Sequence, residues 1–121
     1  MQWTVPGGTP VAEWAARTLA EAGAGGDALY LVTPDAGVRE ALDYWAVSVR
    51  EGVAAASPKA FPSTLSNAPA ARIAAALGIH GPCVTLVGGA DMLDEAVWMA
   101  RAAGAARPLV VWLDAERLRV V

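Results

Sequence analysis

Residues 81–97 read GPCVTLVGGADMLDEAV: a turn, a short apolar strand, a glycine pair and the start of a helix. Enzymes use such strand-to-helix junctions to hold a nucleophile or a phosphate. The first amides of a helix lack intrahelical partners, and the helix dipole adds partial positive charge there. Here the junction consists of Val87, Gly88, Gly89, Ala90 and Asp91. The run GGAD matches neither the dinucleotide-binding fingerprint nor the phosphate loop of NTPases. Asp91 and Asp94 already put carboxylates where an anion would sit, and Asp is a strong N-cap residue. The junction is therefore predicted to be a helix start capped by Asp91. The competing expectation is a site for an acyl, phosphate or CoA-like anion at Gly88–Gly89.

Other reactive side chains are few. His80 is the single histidine and Cys83 the single cysteine. One histidine without a cluster of acids beside it predicts no metal site. His80 follows a helix end and is expected in a surface turn. Cys83 opens a strand and is expected to be a small buried thiol. Ser57, Ser63, Thr64 and Ser66 have no base nearby in the sequence and read as loop and cap residues. No catalytic residue, cofactor site or metal ligand is assigned.

The elements that must position these residues fit one domain of 121 residues. Apolar residues make up 55% of the chain, with five tryptophans, which raises the question of where that surface goes. Net charge is −3 without any block of like charge. That excludes the basic face nucleic acid requires and the basic patches that anionic membranes attract. No apolar run approaches the roughly 20 residues of a membrane span. The N-terminus MQWTVPGG lacks the features of a signal peptide, and a lone cysteine excludes an internal disulfide, so a cytoplasmic protein is expected.

Along the chain, MQWTV suggests a short first strand. The run 9–26 is predicted helical, with Thr9 as N-cap, Pro10 in the first turn and Gly23 as the stop. ALYLVT (28–33) is a buried strand. Residues 36–52 form a second helix with Val38, Leu42, Trp45 and Val49 on one face, and the i,i+4 pair Arg39 and Asp43 on the solvent side. A loop with two prolines follows. A third helix is capped by Asn67 and stopped by Gly78. CVTLVG is a strand, and the fourth helix buries Leu93, Ala96, Val97, Ala100 and Ala103 while Trp98 falls on the side of Asp94 and Arg101. PLVVWL (108–113) and RLRVV (117–121) are the last strands. Strands alternating with helices predict an α/β protein, layered α/β/α on a mainly parallel sheet.

From Pro58 onward, SPKAFPSTLSNAPAARIAAALGIHGPCVTLVGG resembles the ketosynthase pattern of the thiolase-like superfamily. The shared features are proline and phenylalanine in a loop, Asn with small residues opening a helix, LG closing it, then GP and an apolar strand. The following helix and RPLVVWLD continue the likeness, which is especially close to short N-terminal-like ketosynthase relatives. Ala71 stands where that family commonly has glycine. The family would place its acyl-accepting cysteine at Ala90 when counted from Gly81, or near Val87 when counted back from Gly104. Neither is cysteine, and Cys83 corresponds to the variable residue after GP.

The resemblance thus implies the fold of the N-terminal half of a thiolase-like protein, a single truncated ketosynthase-like domain over 1–121, without its nucleophile. It implies a non-catalytic accessory or chain-length-factor-like subunit in polyketide or fatty-acid biosynthesis. The implied partners are a second copy or a true ketosynthase, and an acyl carrier protein. Val84, Leu86 and Trp98 are the interface candidates. A purely structural homodimer is the bland alternative.

Overall fold

A computed structural model describes residues 1–35, 38–52 and 67–121. The elements run β1 (Gln2–Thr4), α1 (Val11–Glu21), β2 (Ala28–Thr33), α2 (Val38–Glu51), α3 (Ala68–Leu77), β3 (Cys83–Val87), α4 (Met92–Ala102), β4 (Pro108–Leu113) and β5 (Arg117–Val120). The loop serines and Thr64 fall outside the described residues, as do the side chains of Val38, Arg39 and Asp43.

The five strands form one sheet in the order β1-β5-β4-β2-β3. β2 pairs in parallel with β3 and β4, whereas β5 runs antiparallel to both β4 and β1. The sheet is therefore mixed, which corrects the mainly parallel expectation. The cause is local. Only a few residues separate β4 from β5, and a connection that short can join only antiparallel strands. Asp114 ties the turn: its Oδ1 accepts the amides of Glu116 at 2.8 Å and Arg117 at 2.7 Å, and its Oδ2 accepts Trp112 Nε1 at 3.1 Å. With β5 inserted, β1, β4, β2 and β3 all point the same way, so their C-terminal ends share one rim of the sheet.

β2 sits at the centre, and all six of its residues are buried. Its alternation divides the core. Leu29 and Leu31 face one layer with α1 and α3, where Ala15, Ala16, Leu19, Ala70, Ile73 and Ala74 meet Val111, Leu113 and Leu118. Tyr30 and Val32 face the other, where Leu93, Ala96 and Ala100 of α4 cover them. The layering is α/β/α as expected. Alanines at the facing positions of α1 and α3 let the two helices approach closely, and Arg72 on α3 reaches Glu13 on α1 at 3.2 Å.

Helix ends separate the expected from the unexpected. Gly23 and Gly78 both adopt positive φ, at 73° and 68°, a conformation that costs a side-chain-bearing residue about 1–2 kcal/mol. They stop α1 and α3 as predicted. Thr9 is not the N-cap of α1: Pro10 occupies that position, and no side chain caps the helix. Asn67 stands at the start of α3 but also makes no capping hydrogen bond.

Gly81 is required for packing rather than for torsion. A Cβ there would collide with the backbone carbonyl of Asp27, beside which the α3–β3 connection passes.

The stripe on α2 is a second correction. Leu42, Trp45 and Val49 share a face as predicted, but that face is open, with exposures of 63%, 54% and 83%, while Ser48 is buried. Helical periodicity reports which residues share a face; it does not supply an element to cover them. None of the five tryptophans is fully buried: Trp3, Trp14 and Trp112 are half-buried, and Trp45 and Trp98 are exposed.

Candidate functional site

The junction after β3 has the predicted form of strand, glycine pair and helix. Several of its amides are already bonded. The Gly88 amide donates to the Thr33 carbonyl at 3.0 Å, continuing the ladder between β2 and β3. The amides of Met92 and Leu93 donate to the carbonyls of Gly89 and Ala90 at 3.0 and 3.1 Å. Val87 and Ala90 are exposed at the rim.

Asp91 does not cap the helix through its side chain, contrary to the sequence reading. Its backbone is already helical, with φ −62° and ψ −22°. A side-chain cap needs an extended residue whose oxygen can reach forward to the second or third helical amide. Asp91 Oδ1 instead lies over Gly89, close enough that a Cβ on that residue would be 2.8 Å away. The first turn of α4 also carries Asp94 and Glu95, both exposed. Three carboxylates about this helix start oppose the binding of an anion.

Cys83 is exposed, which corrects the buried-thiol expectation. It opens β3 at the far end from the junction. Four strand steps of roughly 3.3 Å place it about 13 Å from Val87. Partial desolvation raises its thiol pKa above the ordinary value, so less thiolate is present at neutral pH than in a free cysteine, the opposite of what a nucleophile needs. His80 lies in an exposed turn, as predicted. The structure brings it together with Cys83 and Asn67 along one groove walled by Ala71, Ala74 and Ile79. Cysteine, histidine and asparagine have the types of a cysteine-hydrolase triad, but the raised thiol pKa argues against that use. Among the described residues no group of three or more His, Cys, Asp or Glu side chains is placed to hold a metal.

Sequence reasoning missed a cavity of about 390 Å3 at the C-terminal rim of the sheet. It lies between the β1–α1 loop (Pro6, Gly7 and Gly8), the end of β2 (Thr33) and the end of β4 (Leu113). Thr33 is buried and donates its hydroxyl to Asp35 at 3.3 Å. The signal was present: open α/β sheets form ligand crevices at the carboxyl ends of their parallel strands, and the Gly7–Gly8 pair follows β1 after Val5 and Pro6. Among the described residues the lining contains the carboxylates of Asp35 and Asp114 and no Lys or Arg. Val87 to Asp91 line neither this cavity nor the groove.

The interface candidates separate into two groups. Val84 and Leu86 are half-buried and pack against the α4 layer. Trp98 projects from the opposite side of α4 and is 67% exposed. β3 itself ends the sheet, and among the described residues its only strand partner is β2. No helix among the described residues is long and apolar enough to cross a membrane.

Comparison with family models, with curated proteins and with solved structures gives no match.

Proposed function

We propose that this chain is a non-catalytic, ketosynthase-like accessory subunit that works by assembly, beside a cysteine-bearing ketosynthase of polyketide or fatty-acid synthesis. One observation carries the reading. The strand-to-helix junction has the shape of a nucleophile site but holds Val87, Gly88, Gly89, Ala90 and Asp91, while the single thiol lies at the other end of β3 and is shifted away from thiolate. Decarboxylative condensation needs a thiolate that accepts the acyl chain, and no side chain at this junction can supply one.

The edge of the sheet supports the assembly half of the proposal. β3 reads CVTLV, with neither a charge nor a proline. Natural edge strands usually carry such features because unpaired amides and carbonyls otherwise recruit another strand. The partner expected at this edge is a ketosynthase, or a second copy of the chain.

The test is intact-mass spectrometry after incubation with acyl carrier protein thioesters, followed by sedimentation of the chain with a cysteine-bearing ketosynthase. The expected result is no acyl adduct on residues 86–92 and a co-sedimenting complex. A stable adduct on that segment would refute the non-catalytic reading. Failure to sediment together would refute the accessory role. Labelling of Cys83 alone reports only an accessible thiol.

A further inference from the structure

The outer face of α4 has a symmetry that its core-facing side lacks. Leu93, Ala96 and Ala100 point into the protein, and Asp94, Glu95, Trp98, Arg101 and Ala102 are exposed. Positions three and four apart share a helix face. On this face Glu95 stands three residues before Trp98 and Arg101 three residues after it; Asp94 and Ala102 stand four before and four after. The pattern reads acid, tryptophan, base.

We propose that this face is a homodimer seam, in which α4 packs antiparallel against α4 of a second copy across a twofold axis at Trp98. Antiparallel twofold pairing sets each residue before Trp98 against the residue equally far after it on the partner helix. Glu95 of each copy then meets Arg101 of the other, twice. Asp94 meets the small Ala102, which leaves room for the indoles. The acidic first turn of each helix lies beside the C-terminal turn of the other, so the helix dipoles also oppose favourably. A parallel pairing would set Glu95 against Glu95 and Arg101 against Arg101. A face that complements itself only when inverted is what an isologous dimer requires.

Trp98 is the anchor. An exposed indole between a carboxylate and a guanidinium has the composition of an interface centre with a charged rim. With Trp98 67% exposed, the two indoles add roughly 200–330 Å2 of burial. With one helix face per copy, the seam falls at the small end of specific interfaces and gives a weak, concentration-dependent dimer. The seam lies on a helix face, whereas the ketosynthase proposal uses the β3 edge. It stands independently of that proposal, because its test contains no second protein.

The test is sedimentation of the full chain over a series of concentrations up to the high micromolar range. The expected result is a reversible monomer–dimer equilibrium. Trp98→Ala should weaken it about tenfold or more, with an unchanged melting curve in dilute solution, since the side chain is outside the core. Glu95→Arg alone sets two guanidiniums against each other at both contacts, and Arg101→Glu alone sets two carboxylates against each other, so each variant should be monomeric. Mixed together they should form a heterodimer. In the antiparallel seam the Glu95→Arg copy meets the Arg101→Glu copy through a base–acid pair at one contact, and the unaltered Glu95 and Arg101 pair at the other. A monomer at every concentration would overturn the proposal. So would a dimer indifferent to Trp98→Ala, or a mixture of the two charge variants that stays monomeric.

Discussion

The two faces of the sheet are covered to different degrees. On one face α1 and α3 lie side by side and bury Leu29, Leu31, Leu109, Val111, Leu113 and Leu118. On the other, α4 covers β2 and β4, and much of its surroundings is only half-buried: Val84, Leu86, Met92, Val97, Met99 and Trp112. The paired helices close their layer because they meet through alanines and are fixed by marked ends. Among the described residues of this layer only α4 contributes a helix, and one helix shields a strip about 10–12 Å wide. The closed face therefore carries stability, while the half-open face and the β3 edge beside it carry the surfaces proposed for assembly.

Four substitutions would break or sharpen this contrast. The largest effect is expected from Leu31→Ala on the closed face, which should cost about 2–5 kcal/mol because Leu31 is fully buried among side chains that cannot collapse freely. The matching change on the half-open face, Leu86→Ala, should cost about 1 kcal/mol, since only part of that side chain leaves water on folding. Chemical denaturation of both variants measures the difference. Equal losses would mean that the two faces are equally closed in solution.

The next effect concerns the helix ends. Gly78→Ala places a Cβ at φ 68° and should destabilise the protein by about 1 kcal/mol, read as a lower melting temperature. An unchanged melt would show that α3 can end in another geometry and that its layer is less firmly set. The smallest effect belongs to α4. Asp91→Ala should alter stability by less than about 0.5 kcal/mol, because the exposed carboxylate makes no capping bond. A loss of about 1 kcal/mol or more in the same thermal melt would restore Asp91 as a side-chain cap.

Much of the scaffold was legible in the residues. β2 and β4 are short apolar runs between turn residues, and both emerged as strands at the predicted positions, Ala28–Thr33 and Pro108–Leu113. On α4 helical spacing placed Leu93, Ala96 and Ala100 inside and Trp98 outside, as found. It also put Val97 and Ala103 inside, but Val97 is half-buried, and Ala103 is exposed because it lies past the last turn. The helix stops at Gly23 and Gly78 followed from the freedom of glycine at positive φ. The absence of a cysteine from the junction was also plain from the sequence. These features depend on neighbours a few residues apart, which the chain itself specifies.

Tertiary structure decided the rest. Asp91 has the right residue type for a cap, but Gly89 and Ala90 already accept the amides of Met92 and Leu93, and the Asp91 backbone is itself helical. Cys83 begins a strand, yet it is exposed because that strand ends the sheet. Leu42, Trp45 and Val49 share a stripe as spacing predicts, yet all three are exposed. The cavity at Thr33 and Gly8 exists only because β1, β2 and β4 end at one rim, and they do so because a tight turn at Asp114 inserts β5 between β4 and β1. Spacing along a chain determines which side chains share a face. Whether that face is covered, and what lies across from it, depends on contacts between residues far apart in sequence, which local periodicity does not encode.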